Sequence, residues 1–151
     1  MAIRVRAVEY FNVTVKDRPG EAYRLLSQLA TAGVNLLAFS TVPSGPEVTQ
    51  LVLFPDSTEG LTAVAERAGL VLTGPQRAIL VQGDDRLGAL AEIHGKLFEA
   101  QVDVYASTGI TDGKGDYGCV LYVKPGHFKS ATHALGVDAS GSTVRQTRRS
   151  A

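Results

Sequence analysis

The sequence is short of several features that would narrow its function at once. Its single cysteine, Cys119, excludes an internal disulfide. Its 15 basic residues are balanced by 15 acidic ones, whereas nucleic-acid binding usually needs a basic surface. No apolar run approaches the roughly 18 residues of a membrane span, and the first residues lack the apolar core of a signal peptide. These absences predict a cytoplasmic protein that binds neither nucleic acid nor membrane.

Side chains that carry chemistry are sparse and scattered. His94, His127 and His133 do not show the i, i+4 spacing that places two metal ligands on one helix face. Cys119 lies in an apolar run, which is more typical of a core residue than of a nucleophile. No nucleophile–base pair or acid–base pair of carboxylates stands out. The sequence therefore predicts a protein that is not an enzyme and that holds no metal or cofactor.

The composition that remains is that of a globular protein, with 44% hydrophobic and 20% charged residues. Alternating and helical apolar patterns divide the first half of the chain into elements. We predict strands over 8–15, 34–39, 48–54 and 70–72, and helices over 21–32 and 61–68. The order β-α-β-β-α-β is that of a ferredoxin-like fold, with both helices on one face of an antiparallel sheet.

The chain repeats itself after 68 residues. Residues that match at this offset include Asp17 and Asp85, Gly20 and Gly88, Leu29 and Leu97, Ala32 and Ala100, and Val34 and Val102. Matches without a gap at a single offset indicate an internal repeat, and Gly74-Pro75 marks the best boundary between the copies. We therefore predict an α+β protein of two tandem ferredoxin-like domains, over 1–74 and 75–147, with a tail over 148–151.

The second copy predicts the same order of elements. We expect strands over 78–81, 104–107, 117–123 and 142–145, a helix carrying Leu90, Ile93, Leu97 and Phe98, and a helix over 128–135. The strand over 48–54 is apolar on both sides, so a sheet face without helices would expose an apolar patch. A second copy of the chain is the expected cover, which predicts a homodimer.

The first turn and its surroundings resemble the ACT domain. The resemblance rests on the D-R-P-G-E turn at 17–21, the helix that follows it, and the G-V-N-L entry into the next strand at 33–36. The stretch over 79–107 is similar to a more diverged copy. The resemblance implies a stand-alone tandem regulatory protein that binds an amino acid or similar metabolite at domain or subunit interfaces. It also implies a metabolic enzyme as a possible partner.

The two strand-to-helix turns are the candidate ligand sites. A helix N-terminus presents N–H groups and a positive dipole end, which suit a carboxylate. Gly20 permits close approach of a ligand to the backbone, and Asp17 or Asn35 offers acceptors for an ammonium group. The predicted ligand-binding residues are Asp17, Arg18, Pro19, Gly20, Glu21, Asn35, Leu36, Asp85, Arg86, Leu87, Gly88 and Asp103.

The second turn departs from the first at three positions. Leu87 stands in place of a proline, Ala89 in place of a glutamate, and Asp103 in place of an asparagine. An acidic side chain at 103 repels a carboxylate but can hold an ammonium group. If one turn alone functions, the sequence favours the first, around Gly20 and Asn35.

Other interpretations stay open at the level of sequence. The same residues fit a purely structural role, in which Asp17 caps the helix and Gly20 serves the turn. A ligand-free interaction subunit that docks on a metabolic enzyme has the same pattern. A small enzyme of the acylphosphatase type would need an arginine and an asparagine in one site, which Arg18 and Asn35 superficially offer.

Overall fold

The computed structural model describes residues 3–137, which form an α+β protein of six strands and four α-helices. In chain order these are β1 (Arg4–Lys16), α1 (Glu21–Thr31), β2 (Leu36–Pro43), β3 (Val48–Pro55), α2 (Thr58–Ala68), β4 (Thr73–Asp84), α3 (Ala89–Glu99), β5 (Val104–Thr111), β6 (Asp116–Val123) and α4 (Phe128–Ala134). A short 3-10 helix at Pro125–His127 precedes α4. The strand expected over 142–145 and the tail over 148–151 lie outside the described residues.

The described chain divides into two compact units. Residues 9–76 form one, called here the N-terminal unit, and residues 3–8 with 77–137 form the other, the C-terminal unit. The domain limits of the sequence analysis, 1–74 and 75–147, differ from this division in where they place the first eight residues. As limits of separately folding domains they stay a prediction.

In the N-terminal unit, β3 lies between β2 and β1 and pairs antiparallel with both. Alternate residues of β1 and β3 point to the same face, and the inward ones pack with the apolar sides of α1 and α2. Both helices therefore cover one face of these strands. The core consists of Phe11, Val13, Leu25, Leu29, Val34, Leu51, Leu53, Leu61 and Val64.

In the C-terminal unit, β6 lies between β4 and β5 and pairs antiparallel with both. Its core joins β4 and β6 to α3 and α4, and it also contains Val5 from the start of the chain. Cγ1 of Ile3 lies 3.5 Å from the position that a Cβ on Gly83 would take, so residues 3–8 lie beside β4. The beginning of the chain thus completes the unit that the second half of the sequence forms.

Backbone hydrogen bonds of the two units correspond at the offset of 68 residues. The N–H of Asp17 donates to the carbonyl of Glu47 at 2.8 Å, and that of Asp85 donates to the carbonyl of Gly115, also at 2.8 Å. The register of β1 on β3 matches that of β4 on β6 at the same offset, as do the irregularities in β2 and β5. The correspondence supports the internal repeat, while two tandem ACT domains stay a prediction.

The prediction of a strand over residues 70–72 is wrong. The N–H of Leu70 donates to the carbonyl of Ala65 at 2.9 Å, which keeps the chain at the end of α2. Leu70 and Leu72 pack against the core from there. β4 begins at Thr73 instead and continues through Gly74-Pro75, which the sequence analysis interprets as a boundary.

The apolar stripe expected on α3 is right for its centre and wrong for its ends. Ile93 and Leu97 are buried, as expected. Phe98 is 75% exposed and Leu90 is 42% exposed, so neither belongs to the core. The expectation that Cys119 is a core residue is confirmed, because its thiol is free and buried on β6.

Candidate functional site

The first turn joins β1 to α1 through Gly20, whose φ of 91° places it in the left-handed region. Residues with a Cβ rarely adopt this conformation, so glycine permits the abrupt start of the helix. Nothing among residues 3–137 lies within 4 Å of the position that a Cβ on Gly20 would take. α1 begins without a side-chain cap, so Asp17 does not have the capping role considered above.

The charges of the first turn are paired with each other. Nε of Arg18 donates to Oε1 of Glu21, one turn further along. This bond, more than the nearby positive charges, holds the pKa of Glu21 below its ordinary value. A carboxylate bound at the first turn would therefore compete with Glu21 for the Arg18 guanidinium.

Asn35 and Leu36 follow the end of α1 that is opposite to Gly20. The helix has 11 residues, so its ends are about 16 Å apart at ~1.5 Å per residue. The N–H of Asn35 donates to Oδ1 of Asp56 at 3.1 Å, and Leu36 packs against the core. The N-terminal unit thus does not bring Asn35 to the first turn, and Arg18 with Asn35 does not fit an acylphosphatase-type site.

A groove of about 670 Å³ runs along the helices of the N-terminal unit. Of the predicted site residues in that unit, Gly20 lines it. The other lining residues come from α1 and α2 and include Tyr23, Arg24, Val64 and Arg67. The groove is therefore mainly a helix surface, with the first turn at its margin.

The second turn has the same backbone form as the first. Gly88 has a φ of 82°, and α3 begins after it without a side-chain cap. Nη2 of Arg86 donates to Oε2 of Glu92, so the guanidinium is paired with a side chain of α3. The resemblance between the turns therefore extends to an arginine–glutamate pair, although the two glutamates occupy different positions.

A pocket of about 560 Å³ opens at the second turn, within the roughly 300–1,000 Å³ typical of small-molecule sites. Its walls come from the turn, the first residues of α3, the end of β5 and the start of β6. The lining residues are Asp85, Arg86, Leu87, Gly88, Ala89, Leu90, Ala91, Gly109, Ile110, Thr111 and Tyr117. Four residues predicted from the sequence, 85–88, are thus brought together around one cavity.

Tyr117 carries a buried hydroxyl that has no hydrogen-bond partner in the part of the chain that the structure describes. Its side chain is 6% exposed, and its hydroxyl makes no hydrogen bond to any described residue. A buried polar group of this kind costs ~1–3 kcal/mol when it is left unpaired. A tyrosine hydroxyl keeps its proton at neutral pH and can donate, and burial raises the pKa of Tyr117 further. A ligand atom in the pocket would supply the missing acceptor.

Sequence reasoning missed Tyr117 because it considered the turns alone. The available signal was a polar residue among the inward positions of β6, which are otherwise Cys119, Leu121 and Val123. At the offset of 68, the N-terminal unit has Thr49 at the corresponding position. The two copies therefore differ in sequence at this inward position, where the first has a threonine and the second a tyrosine.

Asp103 lies beyond the C-terminal end of α3, whereas Gly88 lies at its N-terminal end. Its carboxylate pairs with Nζ of Lys124 at 3.5 Å, and its N–H donates to Nδ1 of His127 at 3.4 Å. In the N-terminal unit the corresponding pair is Asn35 with Asp56. Asn35 and Asp103 thus lie just before β2 and β5 and are paired with residues just after β3 and β6. Asp103 does not line the pocket of the second turn.

The described residues contain no group that suits a metal ion. Within 3–137, no three His, Cys, Asp or Glu side chains lie close enough together to coordinate one. Every helix in the same range falls short of the length and hydrophobicity that crossing a membrane requires.

No protein-family model and no curated protein matches the chain. Solved structures, in contrast, match the chain over most of its length. A protein of Bacteroides thetaiotaomicron superposes with a TM-score of 0.75 at 12% identity, over 87% of this chain and 88% of that one. The ligand-free regulatory subunit of aspartate kinase from Thermus thermophilus has a TM-score of 0.63 at 12% identity, over 89% and 94%.

The regulatory subunit of aspartate kinase from Thermus flavus gives a TM-score of 0.55 at 13% identity, over 89% of this chain and 94% of that one. At such identities the likeness shows the fold alone. It supports the ACT-like, ferredoxin-type α+β fold that the sequence predicts.

Proposed function

We propose that the protein is a non-catalytic regulatory module that binds an amino acid or a similar small metabolite at the second turn. The observation that carries the proposal is Tyr117, which lines the pocket and whose buried hydroxyl has no hydrogen-bond partner among residues 3–137. The sequence alone favours the first turn, around Gly20 and Asn35. The proposal moves to Gly88 because the pocket there combines a helix start with an unpaired buried donor.

The start of α3 suits a carboxylate. A helix leaves its first N–H groups without acceptors inside the helix. In α3 the N–H of Ala89 donates to the carbonyl of Arg86 at 3.1 Å, while Leu90 and Ala91, the next two residues, line the pocket. Their amides and the positive dipole end attract an anion. Asp85 at the pocket wall supplies a carboxylate for the ammonium group of the same ligand.

The regulatory role is supported by the structural likeness to regulatory subunits of aspartate kinase. A ligand that binds one conformation better than another shifts the population toward it, and a partner that contacts the moving element responds. We propose a cytoplasmic homodimer as the binding form, with site access governed by domain or subunit interfaces, and a metabolic enzyme as the regulated partner.

A ligand-free interaction subunit is the second candidate. The observation that favours it is Leu87, an apolar side chain at the tip of the second turn that is fully exposed. Ile110, which is 74% exposed, lines the same pocket, and a contiguous exposed apolar patch, unlike a single exposed residue, marks a place where another protein can dock. In that case the partner, rather than a small molecule, would cover the pocket, and amino acids would leave the protein unchanged.

Thermal unfolding across the common amino acids tests the proposed function. A ligand at about 100 times its Kd adds ~2.7 kcal/mol to the free energy of unfolding, which raises the Tm by about 5–10 °C for a chain of this size. We expect such a shift with at least one amino acid, and about half of that shift after Tyr117→Phe, since a tenfold higher Kd removes ~1.4 kcal/mol of the stabilisation. If none of the amino acids shifts the Tm, the interaction subunit replaces the regulatory module as the better account.

A further inference from the structure

The rim of the second-turn pocket is apolar and exposed. Leu87 is fully exposed, Ile110 is 74% exposed and Leu90 is 42% exposed, and all three line the cavity. Cδ1 of Leu90 lies 3.2 Å from the position that a Cβ on Gly109 would take, so the α3 and β5 sides of the rim are in contact. Three exposed aliphatic side chains thus line the cavity together with the charged Asp85 and Arg86 and the buried Tyr117.

We propose that this pocket selects an amino acid with an aliphatic side chain. This inference rests on the proposed function and specifies the ligand class of the same site. The aliphatic side chain would cover Leu87, Leu90 and Ile110, because burial of apolar surface on both sides is favourable. An acidic or basic side chain would lose its hydration against the same rim without a partner there. The rim therefore discriminates by side chain, and the turn binds the part common to all amino acids.

The polar groups divide between the two charged ends of such a ligand. The amides of Leu90 and Ala91 and the Tyr117 hydroxyl donate to the carboxylate. The carboxylate of Asp85 accepts from the ammonium group, since both are at the wall of the same cavity. Arg86 is already paired with Glu92, so it contributes no unpaired cation that would favour a second acidic group on the ligand.

Calorimetric titration with L-leucine, L-aspartate, glycine and L-leucinamide tests the inference. L-leucine has the carboxylate and the aliphatic side chain, whereas each of the others lacks one of the two or adds a charge. We expect a Kd for L-leucine at least about tenfold lower than that for L-aspartate or glycine, which corresponds to ~1.4 kcal/mol. L-leucinamide is expected not to bind, because its amide nitrogen cannot accept from the helix amides.

Two variants and a matched control locate the site. Tyr117→Phe removes the hydroxyl alone and is expected to raise the Kd for L-leucine about tenfold, as for a hydrogen bond to a charged group. Ile110→Ala removes part of the rim and is expected to raise it about fivefold. Val42→Ala, at the corresponding exposed position of the N-terminal unit, is expected to leave the Kd unchanged.

The outcomes separate this inference from the proposed function. Tighter binding of L-aspartate or glycine than of L-leucine, still weakened by Tyr117→Phe, would overturn the aliphatic selection and leave the regulatory site in place. Binding of L-leucine that only Val42→Ala weakens would overturn the assignment to this pocket. Absence of binding by every common amino acid would overturn both.

Discussion

Tyr117 differs from the other inward residues of β6 because it carries a hydroxyl into the core. Cys119, Leu121 and Val123 continue the same face of the strand with apolar or weakly polar groups. The ring fills space beside Gly83, whose hypothetical Cβ would lie 3.2 Å from Cε1 of Tyr117. Phenylalanine would fill that space equally well. Packing therefore gives no reason for the hydroxyl, whereas the proposed ligand would give one.

The stability of Tyr117→Phe without ligand tests that statement. Removal of a buried, unpaired polar group is close to neutral or stabilising, so we expect the free energy of unfolding to stay the same or rise by up to about 3 kcal/mol. Urea unfolding measures it, with Tyr105→Phe as the control, because Tyr105 is exposed. A loss of more than about 1 kcal/mol specific to Tyr117→Phe would mean that the hydroxyl is already satisfied in the folded chain.

At the scale of elements, the two glycine turns have the same backbone conformation and the same place between a strand and a helix. Gly20 and Gly88 both have left-handed dihedrals, both precede helices without side-chain caps, and neither would have a neighbour within 4 Å of an added Cβ among the described residues. The shared form explains why the sequence identified both turns. Their surroundings differ, which the sequence did not show.

Alanine at each glycine tests the equivalence of the turns. Gly20→Ala and Gly88→Ala each place a Cβ in the left-handed region without a steric clash, so each is expected to destabilise by about 1 kcal/mol. Denaturant unfolding of both variants provides the comparison. If the free energy of unfolding falls by several kcal/mol in one variant and not at all in the other, the two turns are not equivalent. The expected strain of about 1 kcal/mol is then wrong for both.

The elements that the sequence predicted well are those with local signals. Helix α1 was expected over 21–32 and ends at Thr31, because the i, i+3, i+4 stripe and Gly33 define it locally. The strand expected over 70–72 failed because Leu70 bonds back to α2, and the residues with turn signals, Gly74 and Pro75, lie inside β4 instead. Signals read from neighbouring residues do not show which distant strand a segment joins.

The same limit explains what was missed at the site. The turn residues 85–88 were identified because a glycine after an aspartate between a strand and a helix is a local pattern. Ile110 and Tyr117 reach the same cavity only through the pairing of β5, β6 and β4. The sequence analysis places Asn35 at the first turn for its amide and by resemblance, and Asp103 at the second as its counterpart in the repeat. Within each unit, both lie past the opposite end of the helix.

At the scale of the whole molecule, the chain consists of two units that share hydrogen-bond registers at an offset of 68 residues but differ in their candidate sites. The first unit has a groove along its helices, and the second has a pocket at its turn. Residues 3–8 belong to the second unit although they precede the first in sequence. The proposed ligand site thus belongs to one copy of the repeat and has no counterpart of the same form in the described residues of the other.

Amide chemical-shift mapping with a mixture of the common amino acids tests the central claim most directly. In ¹⁵N-labelled protein we expect the largest shifts at residues 85–91, 109–111 and 117, because those residues line the pocket of the second turn. We expect much smaller shifts at residues 17–24, the corresponding stretch of the first turn. Shifts concentrated at 17–24, or none at saturating concentrations, would contradict the claim that this chain binds an amino acid between Gly88 and Tyr117.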